Sequence, residues 1–163
     1  MKRLSAAAVL LLGLGGSALA DEAVAPPKEA VGLLEVSADG VQIYACEAKD
    51  QSYAWVFRSP EAALFDAQGR QVGIHAAGPS WKLADGSSVV GDKVAEAASP
   101  ELHAIAWLLL RAKSHDGAGQ LANATWIRRA HTHGGAAPEG GCDASHNGET
   151  ARMRYSATYQ FFR

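Results

Sequence analysis

Cysteine is scarce in this chain of 163 residues: only Cys46 and Cys142 occur, far apart, and no Cys-x-x-Cys pair is present. That removes the dithiol redox motifs and the zinc sites that need closely spaced thiolates. Basic residues are not in excess either, with 15 Lys and Arg against 17 Asp and Glu, a formal net charge of -2. A nucleic-acid or anionic-membrane partner normally requires the opposite balance, so neither is expected. Beyond the first twenty residues no apolar run is long enough to span a bilayer, which argues against membrane insertion. No Gly-x-Ser-x-Gly elbow surrounds any serine, and no internal repeat or low-complexity stretch is present.

What is there is a globular composition, 48% hydrophobic with 20% charged residues, in a length that suits one domain. Lys2 and Arg3 precede an apolar run from Leu4 to about Gly16, and Ala18-Leu19-Ala20 has the small-x-small pattern of a signal-peptidase site. Residues 1–20 are therefore expected to be a signal peptide cleaved after Ala20, sending the protein to the periplasm or the medium. Residues 21–31, with Pro26-Pro27, suit a flexible N-terminal arm, and residues 32–163 a single β domain. Export makes a Cys46–Cys142 disulfide the expected fate of the two cysteines. A closed loop of about a hundred residues stabilises by about 4 to 5 kcal/mol in the chain-entropy account.

Period-two patterning dominates. Val41, Ile43 and Ala45 alternate with Gln42, Tyr44 and Cys46, and Met153, Tyr155, Ala157, Tyr159 and Phe161 alternate with Arg152, Arg154, Ser156, Thr158 and Gln160. Turn signals stand at Asp39-Gly40, Asp66 to Gly69, Asp85-Gly86, Asp116-Gly117 and Asn147-Gly148. Strands are expected at 32–37, 41–47, 53–58, 62–66, 71–75, 80–83, 87–91, 105–112, 121–131 and 152–162. The fold class is all-β, an antiparallel sandwich or barrel of about 8 to 10 short strands. Ser99, Pro100 and Glu101 also fit the start of one short helix near 99–105, although the continuous apolar run Ile105 to Leu110 favours a buried strand there.

Chemistry-bearing residues gather in two places. From His75 to Ser87, a histidine, a tryptophan, an aspartate and serines surround Gly78-Pro79, so His75, Trp81 and Asp85 are the candidate ligand-binding residues. The same letters also suit a turn, a core tryptophan and a hairpin, and a Ser80–His75–Asp85 triad is disfavoured by the missing elbow. His131 and His133 lie two apart, which on an extended strand turns both imidazoles to one face, as two ligands of a Zn or Cu ion would be. A third ligand would come from His75, Glu139 or His146. Gly117-Ala118-Gly119-Gln120-Leu121-Ala122 fits the loose dinucleotide fingerprint, but the strand-like Asn123 to Ile127 that follows is not the helix such a site needs. Arg128, Arg129, Arg152 and Arg154 would form a basic strip if their strands were neighbours, and ordinary surface pairing explains them equally well. Trp55, Trp107 and Trp126 sit in apolar strand patterns and are read as core.

Several blocks taken together resemble a family of small exported proteins of bacteria and fungi catalogued as a domain of unknown function. They are Gly40-Val41-Gln42-Ile43-Tyr44-Ala45-Cys46, Tyr53 to Phe57 running into Pro60-Glu61-Ala62, Gly73 to Trp81 with Asp85-Gly86-Ser87, Trp107 to Leu110, and Tyr155 to Tyr159. The resemblance implies a secreted β domain with its cysteines paired, and transfers no activity. His131-Thr132-His133 departs from the family pattern of a single Thr before the Gly-Gly pair. With no catalytic signature, the chain reads as a binding or envelope-associated module for a small molecule or envelope component. The alternative is a metalloprotein or metalloenzyme using His131 and His133.

Overall fold

The computed structural model describes residues 15–163. Lys2, Arg3 and most of the apolar run of the expected signal lie outside the described residues. Helix α1, Gly15–Ala23, crosses the expected cleavage point. Eight strands follow: β1 Gly32–Lys49, β2 Ser52–Phe65, β3 Gln71–Ala76, β4 Ser80–Leu83, β5 Ser88–Ala97, β6 Trp107–Asp116, β7 Trp126–Gly134 and β8 Thr150–Phe162. Each pairs antiparallel with the next, and β1 pairs with β8, so the sheet closes into an up-and-down barrel with no free edge. Among the described residues no helix is long and apolar enough to cross a membrane.

The long strands absorb pairs of expected shorter ones. Asp39-Gly40 is not a turn but lies in mid-strand, paired with Ala63 and Ala62. The glycine serves a close approach instead: a Cβ there would stand 2.1 Å from the Glu61 carbonyl oxygen. The other turn signals hold, as at Asp66, whose carboxylate accepts from the Gln68 and Arg70 amides. No helix forms near 99–105. Ser99 does accept from the Glu101 amide as a cap would. His103 then takes a left-handed φ of 60°, and Ala104 bridges to Gly135, so the chain is drawn into sheet pairing at once. Residues 121–125 likewise turn rather than extend, with Ala124 N–H donating to the Leu121 carbonyl.

Strand direction alternates, so the connections sort into two ends. The base carries the turns at 66–70, 84–87 and 117–125; the mouth carries those at 50–51, 77–79, 98–106 and 135–149. The core fills the base, where Val36, Leu64, Trp81, Leu83, Val89, Ile127 and Phe161 meet Leu121 and Ala124 of the 117–125 turn. Asp85 secures that plug: its carboxylate accepts from the Gln120 amide at 2.9 Å and from the Ser87 amide and hydroxyl. A second apolar cluster lies outside the barrel, where Trp107, Leu109, Ala130 and Trp126 are covered by Ala20 and Val24. The segment read as a flexible arm thus carries a fully buried Val24, and Asp21 pairs with Arg128 beside it.

At the mouth, Cys46 and Cys142 are disulfide-bonded, with Cα atoms 5.3 Å apart. The bond ties the glycine-rich 135–142 segment to the end of β1. The Trp55 indole N–H donates to the Gly140 carbonyl and the Tyr44 hydroxyl to that of Gly135, so the same segment is held at three points.

Candidate functional site

Strand alternation decides which side chains enter the barrel, and near the mouth it brings in polar ones. On β1 the inward row runs Val36, Ala38, Gly40, Gln42, Tyr44, so the wall changes from aliphatic to polar on the way up. On β7, inward Ile127 places Arg129 on the same face two residues later, while Arg128 points out to Asp21. On β6 the inward residues are Leu108 and Leu110. These strands, with the 77–79 and 105–106 turns, bound a cavity of about 680 Å³ lined by Gln42, Tyr44, His75, Leu108, Leu110 and Arg129 among others. Its size falls within the range of small-molecule sites.

His75 forms part of the cavity wall and is 3% exposed. Its ring stacks on Trp81 with centroids 4.6 Å apart and planes 13° from parallel, and it leans on Tyr159 at 4.9 Å. Nδ1 lies 2.8 Å from the Ser80 carbonyl oxygen, which can only accept, so Nδ1 carries the proton and Nε2 does not. Burial pushes the imidazole pKa down to about 4, and His75 is neutral at pH 7. Burial likewise raises the Tyr155 and Tyr159 hydroxyls above their ordinary range, so both stay protonated. The Arg129 charge acts on His75, Tyr44, Tyr155 and Tyr159 alike, which makes it the electrostatic centre of the group.

Arg129 is half-buried, and its Nε–H and one terminal N–H donate to the Ala106 carbonyl at 3.0 and 2.8 Å. It has no carboxylate partner among the described residues, in contrast to the other three arginines of the expected basic strip. Arg128 pairs with Asp21, Arg152 with Glu61 at 2.5 Å, and Arg154 with Asp39 at 3.5 Å, so no continuous strip exists. Around Arg129, Gln42 Nε2 and the Tyr155 and Tyr159 hydroxyls make no well-formed hydrogen bond among the described residues, although Tyr155 lies beside Gln42 and Tyr159, and Tyr159 beside Arg129. Their residues are 2%, 3% and 1% exposed.

The structure divides the expected ligand set. His75 and Trp81 stand together, with Trp81 behind the histidine as core. Asp85 is at the opposite end of the barrel, holding the plug, and no Ser80–His75–Asp85 triad forms; the Ser80 hydroxyl donates to the Ala77 carbonyl. His131 and His133 do not share an extended backbone, because His131 has φ 49° and the β7–β8 register shifts between Ala130 and His133. The His131 ring packs edge-on against Trp107 at 5.0 Å outside the barrel, and His133 pairs with Glu101. The three candidate third ligands are elsewhere: His75 in the barrel wall, Glu139 with His103 at 3.3 Å, and His146 with Asp143 at 2.8 Å. Among the described residues no three His, Cys, Asp or Glu side chains converge on one point. The 117–122 glycine pattern is the plug turn, where a Cβ on Gly119 would meet the Asp85 carboxylate at 2.5 Å.

Gln42, Tyr44 and Arg129 escaped the sequence reading as site residues. The signal was nonetheless present for one of them. Two adjacent arginines in a period-two strand cannot both face water when one face is buried, and Ile127 marks which of them turns inward.

No curated protein and no solved structure matches the chain. A family match spans residues 26–163, and the chain belongs to the DUF3455 family, proteins of unknown function.

Proposed function

We propose that this protein is an exported binding module whose site is the cavity at the barrel mouth. One observation carries the reading: a closed barrel plugged at its base keeps about 680 Å³ open at its mouth, walled by Leu108, Leu110 and Ile105 and set with a few convergent polar groups. A core selected for stability alone would fill that volume, as the base does. The binding wall is rigid because it is sheet, tied further by the disulfide and by Arg129 to the 98–106 connection. Nothing in the mouth has the nucleophile, base and orienter arrangement of a hydrolytic site, and neutral His75 uses its donor on backbone. Export is supported by the signal-like first twenty residues and by the disulfide, which persists in oxidising compartments.

The test is titration of the purified, disulfide-bonded protein with Nile red, a neutral dye whose emission rises in apolar surroundings. Saturable enhancement is expected for the wild type and its loss in Leu108→Trp, which fills the mouth. Absence of saturable binding, or an unchanged titration in Leu108→Trp, would refute the assignment.

A further inference from the structure

We infer that the ligand is a monocarboxylic acid with an apolar body, its carboxylate seated on Arg129 and its body against Leu108, Leu110 and Ile105. This rests on the cavity being a ligand site and adds the ligand's charge and class.

The charges around the cavity balance everywhere except at one residue. Arg58, Lys93, Glu96 and Arg129 are its charged lining residues. Lys93 pairs with Glu96 at 2.5 Å and Arg58 with Glu47, all at the exposed rim. Arg129 alone lacks a counterion, and a guanidinium cannot discharge by losing its proton. A half-buried charge without a counterion gives up part of its hydration for nothing in return. The groups facing it from β1, β3 and β8 are Gln42, Tyr44, His75, Tyr155 and Tyr159, and each is neutral at pH 7. No interior side chain can therefore supply the missing negative charge, which points to a charge brought from outside.

The head group follows from donors and geometry. Two guanidinium N–H groups are used on Ala106, which leaves three for an incoming acceptor. The unpartnered Gln42 amide, which lines the cavity, adds an uncharged donor. A planar carboxylate matches the guanidinium fork and takes further donors on its outer lone pairs. A single positive charge balances one negative charge, so a phosphate dianion would be left half compensated. Past the head, the lining is Leu108, Leu110, Ile105 and the Phe57 ring, which suits hydrocarbon.

The experiment is competition against bound Nile red with matched pairs: decanoic acid against decanol for an alkyl body, and naphthoic acid against naphthamide for an aryl one. In wild-type protein at least one acid is expected to displace the dye about tenfold more tightly than its neutral partner. Arg129→Gln should bring acid and neutral partner to equality, read as the ratio of the two so that any change in dye affinity cancels. Arg129→Lys should retain a reduced preference, since the charge remains without the fork. Equal displacement by acid and neutral partner in both wild-type pairs would overturn the inference and leave the cavity as a neutral-ligand site. A persisting acid preference in Arg129→Gln would overturn it as well. If calorimetry detects neither dye nor decanoate binding, the ligand site itself falls, and the carboxylate assignment with it. The wild-type pairs need no variant, so a poorly folding Arg129→Gln does not blunt the test.

Discussion

At the base of the barrel, Leu121 and Ala124 enter from the 117–125 turn and complete a core of Val36, Leu64, Trp81 and Phe161 with every side chain packed. At the mouth the same strands present Gln42, Tyr44, His75 and Arg129 to a cavity, and the Gln42 amide nitrogen has no partner among the described residues. The base devotes its polar chemistry to closure: Asp85 is fully engaged in holding the plug. The mouth devotes its own to the frame alone, through Tyr44 to Gly135, Arg129 to Ala106 and His75 to Ser80, leaving further donors uncommitted. One end is organised for stability and the other for recognition, and the two should respond to substitution in opposite ways.

The largest effect is expected at the base. Leu121 is fully buried, and Leu121→Ala should lower unfolding stability by about 2 to 5 kcal/mol in urea denaturation, through lost burial and the cavity left behind. Nile red affinity at the mouth should not change under conditions where the variant is folded. A large fall in dye affinity would mean that the ends are not independent.

The next effect is a pH dependence with its source in the mouth wall. His75 holds a pKa of about 4 in the folded protein against an ordinary 6.5, so the unfolded chain takes up a proton that the native state refuses. Stability from this group is complete above pH 6.5 and declines as pH falls toward 4, by about 3 kcal/mol in all. Tyr159, Trp81 and Arg129 around the ring supply no anion to relieve it. Asp85 is displaced in the same direction, below its ordinary 3.8, but because it accepts from Gln120 and Ser87 rather than because it is buried. Its contribution is lost only as the pH drops further, so the two ends have separate acid windows. His75→Phe, which cannot titrate, should flatten the decline between about pH 7 and about pH 4. An equal slope in wild type and variant would show that His75 is not the source.

Much of this architecture was readable in advance, and the places where it was not share one cause. The alternation of Tyr155, Ala157, Tyr159 and Phe161 marks the inner face of β8 because those inward residues are apolar. On β1 the same rule misleads: Val41 and Ile43 face outward, and Gln42 and Tyr44 face in. Period-two reading finds the buried face by its hydrophobicity, so it fails where the interior must be polar, which is at the site. Asp39-Gly40 failed for a different reason, since a glycine required by close strand approach has the same letters as one required by a turn. The His131–His133 geometry depended on an unbroken strand, and the bulge at His131 has no local sequence mark beyond the glycines that follow. Asp85 was correctly seen as a hairpin residue, but its distance from His75 depends on barrel closure, a long-range property.

The finest discrimination between the ends lies within the mouth, between a hydroxyl fixed to the frame and one only loosely engaged. Tyr44 donates to the Gly135 carbonyl at 2.7 Å, and Tyr44→Phe leaves that buried acceptor unmatched, at an expected cost of about 1 kcal/mol. Tyr155 makes no bond of that quality among the described residues; its hydroxyl lies beside Tyr159 and Gln42, behind the cavity lining. Removing it costs the fold no more than a weak contact with those neighbours. Tyr155→Phe is therefore expected to cost less than Tyr44→Phe, under about 1 kcal/mol, and to leave the preference for decanoate over decanol in place. Chemical denaturation of both variants beside the wild type, followed by the same competition titrations, measures the two effects separately. Should Tyr155→Phe destabilise as much as Tyr44→Phe, its hydroxyl belongs to the frame as fully as that of Tyr44.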